Sequence, residues 1–142
     1  MSEQSQIDAM KVMIEAFNDN NWQGVRAPLA ANSVYNEVGT QRVIEGADGV
    51  VQAWQGWKQA FPDVKGRVNS AIASGNVVAL EVTWEGTHTG PMMTPNGEIP
   101  PTGKRQTTNA AWIVSFDGDK VRESHMYFDM MTMMQQLGLM SQ

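Results

Sequence analysis

The chain has 142 residues, no cysteine, two histidines and a formal net charge of −5. Without thiols there can be no disulfide, thiolate nucleophile, iron–sulfur cluster or thiolate-bound zinc, and the ten Lys and Arg residues are scattered instead of forming the basic face that nucleic acid requires. The length suits one domain, residues 1–142, able to bury roughly 70% of its unfolded surface, and with no apolar run near 20 residues and no signal-like start it is expected in the cytoplasm, away from membranes.

"SQIDAMKVMIEAFNDNN" places Ile7, Met10, Ile14 and Phe17 on one helical face, with Ser5 and Asp8 as a capping pair and Asn18 to Asn21 as a stop. "WQGVRAPLA" reads as a short helical piece, shortened by Pro28. "SVYNEV" is strand-like. "ADGVVQAWQGWKQAFPD" repeats Val50, Trp54, Trp57 and Phe61 at helical spacing until Pro62 ends it.

Beyond Pro62 the pattern changes to β-branched and alternating runs, "KGRVNSAIAS", "NVVALEVTWEGTHT", "RQTTNAAWIVSF" and "KVRESHMYF". Ser74-Gly75-Asn76 and Asp117-Gly118-Asp119 mark tight hairpins. "GPMMTPNGEIPPTGK" is a long irregular loop of the kind that forms a lid or rim, and "MMTMMQQLG" is helical with Gly138 as its cap. Helices first and strands after give an α+β domain. The strand "AAWIV" is apolar on both faces, so the sheet face left without helices is expected to meet a second copy in a homodimer.

Asp129 is the conspicuous residue. It stands between Tyr127-Phe128 and Met130-Met131, poor solvators of an anion that should raise its pKa and suit it to proton transfer, while the helix start beside it would pull the pKa the other way. Capping the helix that starts at Met130 is its structural alternative. A period of two sets His125 and Tyr127 on the same face as Asp129, and His88 shares parity with Val82 and Trp84. Tyr127 and Tyr35 could donate to an enolate oxygen, and Trp54, Trp57 and Trp84 could wall an apolar pocket. Two histidines, His88 and His125, cannot form a multi-histidine metal site; no metal or cofactor is expected.

Five strings in order, "AFPD", "GTHTG", "PPTGKR", "DGDKVRE" and "FDMMTMMQQLG", resemble the SnoaL-like polyketide cyclase family over Ile7 to Leu139. The resemblance implies an NTF2-like or cystatin-like cone: helices on a curved antiparallel sheet, a short C-terminal helix, and a dimer. It also implies an apolar substrate held inside the cone, an Asp corresponding to Asp129, and aldol ring closure without metal or organic cofactor. Relatives often carry His-Trp where this chain has Ser124-His125. The expected function is acid/base chemistry on a small apolar or aromatic carbonyl compound, of cyclase or isomerase type. A non-catalytic ligand-binding or dimeric scaffold is the first alternative. An epoxide-hydrolase-like reaction using Glu37, Glu81 and Arg105 beside Asp129 is the second.

Overall fold

The computed structural model describes residues 1–140. Helix α1 (Glu3–Asn18) is capped by Ser2, whose side chain accepts from the Ser5 N–H, so it starts one turn before the Ser5–Asp8 pair. It buries Met10, Met13, Ile14 and Phe17, the apolar face of its repeat. After α2 (Trp22–Arg26) come β1 (Leu29–Glu37), a 3₁₀ turn (Val38–Thr40), β2 (Arg42–Glu45) and α3 (Ala47–Ala60). The remaining elements are β3 (Lys65–Ser74), β4 (Val77–Thr87), the small hairpin β5 (Met92–Thr94) and β6 (Gly97–Ile99), β7 (Arg105–Asp117), β8 (Lys120–Tyr127) and α4 (Met130–Gln136).

Six strands form one sheet in the order β2-β1-β8-β7-β4-β3. Its pairs are antiparallel except β1 with β8, which run parallel because the chain crosses the whole domain between them. Gly75 and Gly118 take φ of 62° and 63° in the two hairpin turns, where a side chain would be strained. Register shifts between Val68 and Ser70 and between Ser115 and Phe116 mark bulges, which bend and twist the strands around the helices. The segment 90–104, expected to be irregular, carries the β5–β6 hairpin.

The core lies between the helices and one sheet face. Val78, Leu80 and Val82 on β4, Trp112, Val114 and Phe116 on β7, and Val121 and Met126 on β8 all point into it. The opposite face has no helical cover: Ile72 is 71% exposed and Tyr127 46%. Among the described residues no helix is long and apolar enough to cross a membrane.

Candidate functional site

A partly open cavity of about 70 Å³ lies in the core between α1, α3, the sheet and α4. Phe17, Trp54, Trp57, Phe61, Trp84, Met126, Phe128 and Met133 give it aromatic and thioether walls. Its polar groups come from two strands: Tyr35 and Glu37 on β1, Gln106 and Thr108 on β7. Strand alternation explains both pairs, since residues two apart project to the same side.

Glu37 is fully buried, an exceptional place for a carboxylate. Four side chains compensate its charge. Thr40 donates its hydroxyl to Oε1 at 2.6 Å, and Arg42 donates Nη2 to the same oxygen at 2.7 Å and Nε at 3.1 Å. Trp57 donates its indole N–H to Oε2 at 2.9 Å and Tyr35 its hydroxyl at 3.1 Å. Burial first, then the charge of Glu37, pushes the Tyr35 phenol well above its usual range, so Tyr35 stays a donor.

The Trp54 indole N–H is buried without a well-formed acceptor among the described residues and adjoins the Tyr35 hydroxyl, where it offsets a small part of the pKa rise that burial causes. Gln106 accepts the Thr108 hydroxyl on its carboxamide oxygen, which leaves the NH₂ group of Gln106 without a protein partner among the described residues. The cavity therefore holds one anion and spare hydrogen-bond donors.

Asp129 is elsewhere, and in an environment opposite to the expected one. It is exposed and caps α4: Oδ1 accepts from the N–H of Met131 at 3.0 Å and of Thr132 at 3.3 Å, and Oδ2 accepts the Thr132 hydroxyl at 2.6 Å. The Thr132 hydroxyl first, then the main-chain N–H groups, holds its pKa below the ordinary 3.8, the direction expected of a helix start and not of apolar surroundings. The hydrophobic neighbours in sequence do not surround it in space.

His125 and Tyr127 do share a face, with rings stacked at 6.2 Å and 19°, but it is the outer face of the sheet. Neither lines the cavity. His125 lies 3.8 Å from Glu123 instead. On β8 the inward residues are Val121, Ser124 and Met126; the β7–β8 bulge passes over Arg122 and reverses the alternation.

His88 is fully buried but stands behind the cavity, tilted against Phe61 at 5.2 Å. Its Nδ1 accepts the Thr102 N–H at 3.2 Å and lies 3.0 Å from the Thr102 hydroxyl. Main-chain bonds from His88 to Lys104 and from Gly103 to His88 complete a staple at the neck of the segment that carries β5 and β6. Tyr35, Trp54, Trp57 and Trp84 all line the cavity. The carboxylates and cation of the hydrolase alternative are not brought together: Glu81 binds Ser70 on β3, and Arg105 pairs with Glu85 on β4.

The profile of the SnoaL-like polyketide cyclase family matches residues 7–137. The chain belongs to this family. AclR, a proposed hydroxylase from Streptomyces galilaeus, is similar in structure with a TM-score of 0.83 at 24% identity, over 99% of this chain and 89% of its own. IdmH, a proposed polyketide cyclase from Streptomyces antibioticus, gives 0.78 at 24% identity over 94% and 98%. A SnoaL-like protein of Jannaschia sp. CCS1 gives 0.86 at 14% identity over 98% and 95%. At these identities the likeness is one of fold. No curated protein sequence matches the chain.

Family membership supports a cyclase or isomerase type of role. The cavity's carboxylate went unnoticed as a site residue in its own right. The available signal was Tyr35-x-Glu37 on one strand face with Arg42 five residues on, a charge whose partner lies within local reach.

Proposed function

We propose that the protein is an acid/base enzyme acting on a small apolar or aromatic carbonyl compound, with Glu37 as its proton-transfer group. The observation that carries this reading is that Glu37, itself fully buried, is the one carboxylate among the described residues in the wall of an aromatic-lined cavity. Glu37 removes a proton from carbon next to the carbonyl, and the C–H electron pair moves to the carbonyl oxygen to give an enolate. The free N–H groups of Trp54 and Gln106 supply donors for that oxygen. The enolate carbon then attacks a second carbonyl in ring closure, the alkoxide so formed taking the proton back from Glu37, or the enolate recovers that proton at another carbon in isomerisation. Tyr35 and Trp57 orient the carboxylate throughout.

A cavity of about 70 Å³ is smaller than the ~150 Å³ known to hold benzene. It accommodates the reacting end of a substrate. Larger molecules require Trp57 or Phe128 to move; both are half-buried and meet edge to face at 6.2 Å. Acetone in deuterated buffer is a probe small enough for this space, followed by loss of its proton signals next to the carbonyl. Exchange faster than in buffer alone is expected, and exchange at the buffer rate for it and other small ketones would count against the reading.

The uncovered sheet face supports a homodimer. Ile72 on β3, Ala79 on β4 and Ile113 on β7 lie side by side in register, and the row continues through His125 of β8 and Asn36 of β1 to the exposed Val43 of β2. Light scattering should give twice the chain mass, and Ile72→Asp should give the single chain; a monomeric parent protein would remove this part of the reading.

A further inference from the structure

A second and larger concavity lies outside the core, against the same Trp57. This groove of about 610 Å³ is bounded by α3, the 3₁₀ turn, the β5–β6 hairpin and the first residue of α4. Its volume falls within the range of roughly 300–1,000 Å³ that small-molecule sites occupy. Met92, Met93, Met130, Pro95 and Trp57 give it an adaptable apolar surface. Gly56 on α3 leaves the wall open, since a Cβ there would meet nothing within 4 Å.

Among the described residues Arg42 is the only ionisable one in the lining. Its Nε and Nη2 face Glu37, whose carboxylate has no exposure, while the Arg42 side chain is 40% exposed. Nη1 has no protein partner among the described residues. The groove therefore presents the cationic half of the ion pair and hides the anionic half. Thr40, Gln52 and Thr94 add uncharged polar groups around it. A guanidinium with a free edge beside thioethers and an indole suits a ligand with one carboxylate and a flat or flexible hydrocarbon body.

We propose that this outer groove is a binding site for an apolar carboxylate, its anionic end on Arg42 and its hydrocarbon on the methionines and Trp57. The proposal does not rest on the proton-transfer reading of Glu37, with which the groove shares Thr40, Arg42 and Trp57. Removing Arg42 would also strip Glu37 of its counter-ion, so the informative substitutions lie on α3. Gly56→Phe fills the groove, and Gln52→Glu, at an exposed position, places a negative charge in it.

The probe is 2-naphthoate, with the uncharged 2-naphthamide as control, titrated calorimetrically and by amide NMR at low salt. Naphthoate should bind about tenfold or more tighter than the amide, because a charged hydrogen bond is lost in the latter. Its affinity should fall as salt rises, and it should shift the signals of Gln52, Trp57 and Thr94. Gly56→Phe should abolish binding while thermal unfolding shows an intact fold, and Gln52→Glu should weaken it severalfold. Glu37→Gln should retain binding even where proton exchange is lost. Equal affinity for acid and amide, no saturable naphthoate binding, shifts confined to Thr108 and Met133 of the inner cavity, or unchanged binding by Gly56→Phe would overturn the proposal.

Discussion

Trp57 on α3 donates its indole N–H to Glu37 at the end of β1 across 2.9 Å, joining helix to sheet through a buried charge. The bond explains why a carboxylate tolerates this position, because each of its oxygens finds donors. Trp57→Phe keeps an aromatic ring but removes one of the two donors to Oε2. It should cost about 1–3 kcal/mol of stability in denaturant titrations. Glu37→Ala should cost more than Glu37→Gln, since alanine leaves a void and an unpaired Arg42, whereas glutamine keeps the shape.

Asp129 should behave as architecture. Asp129→Asn retains a capping oxygen and should leave the melting temperature nearly unchanged; Asp129→Ala should lower it by fraying α4. The folded pKa is held below 3.8, so the ionised cap contributes above that value and its contribution is lost as pH falls through the folded pKa. The difference in melting temperature between parent and Asp129→Ala should therefore shrink in strong acid.

His88 acts at milder pH. Burial lowers its pKa from the ordinary 6.5, and the Thr102 N–H donated to Nδ1 assigns the ring proton to Nε2. Once unfolded, the imidazole takes up a proton more readily than in the folded chain. Stability owed to neutral His88 is thus complete above pH 6.5 and declines as pH falls from there toward the folded pKa. His88→Asn can still accept from Thr102 but does not titrate, so its stability should be flatter across this interval. Parallel pH curves for both proteins would contradict this role.

Two glycines should respond in opposite directions to alanine. At Gly90 a Cβ would stand 1.9 Å from the main-chain oxygen of Gln59, and that backbone cannot yield cheaply. Gly90→Ala should destabilise by about 3 kcal/mol or more. Gly56 lies inside α3 with free space around it, and Gly56→Ala should stabilise by about 1 kcal/mol through helix propensity. Thermal unfolding of the two variants checks both signs.

Much of the fold was legible because periodicity is a local property. The helical face of Met10, Ile14 and Phe17, the turns at Gly75 and Gly118, and the aromatic face of α3 are each fixed within a few residues. The parallel seam of β1 with β8 was not, since it joins segments almost ninety residues apart and leaves no local mark. The site was half legible. The rings of Tyr35, Trp54, Trp57 and Trp84 lie in the cavity wall, but the alternation along β8 could show only that His125 and Tyr127 share a face. Which face depends on the bulge at Arg122, a one-residue change that reverses inside and outside. Asp129 misled for a related reason: its apolar sequence neighbours turn toward the core or the outer face, while its own carboxylate turns back onto the first turn of α4.

The most direct measurement compares Glu37→Gln with Asp129→Asn in the deuterium exchange of a ketone that the parent protein processes. Glu37→Gln should lose at least about a hundredfold in rate, the usual scale of a general base, with a folded chain by circular dichroism, while Asp129→Asn should exchange at the parent rate. The reverse order, with Glu37→Gln active and Asp129→Asn inert, would contradict the assignment of proton transfer to the buried carboxylate.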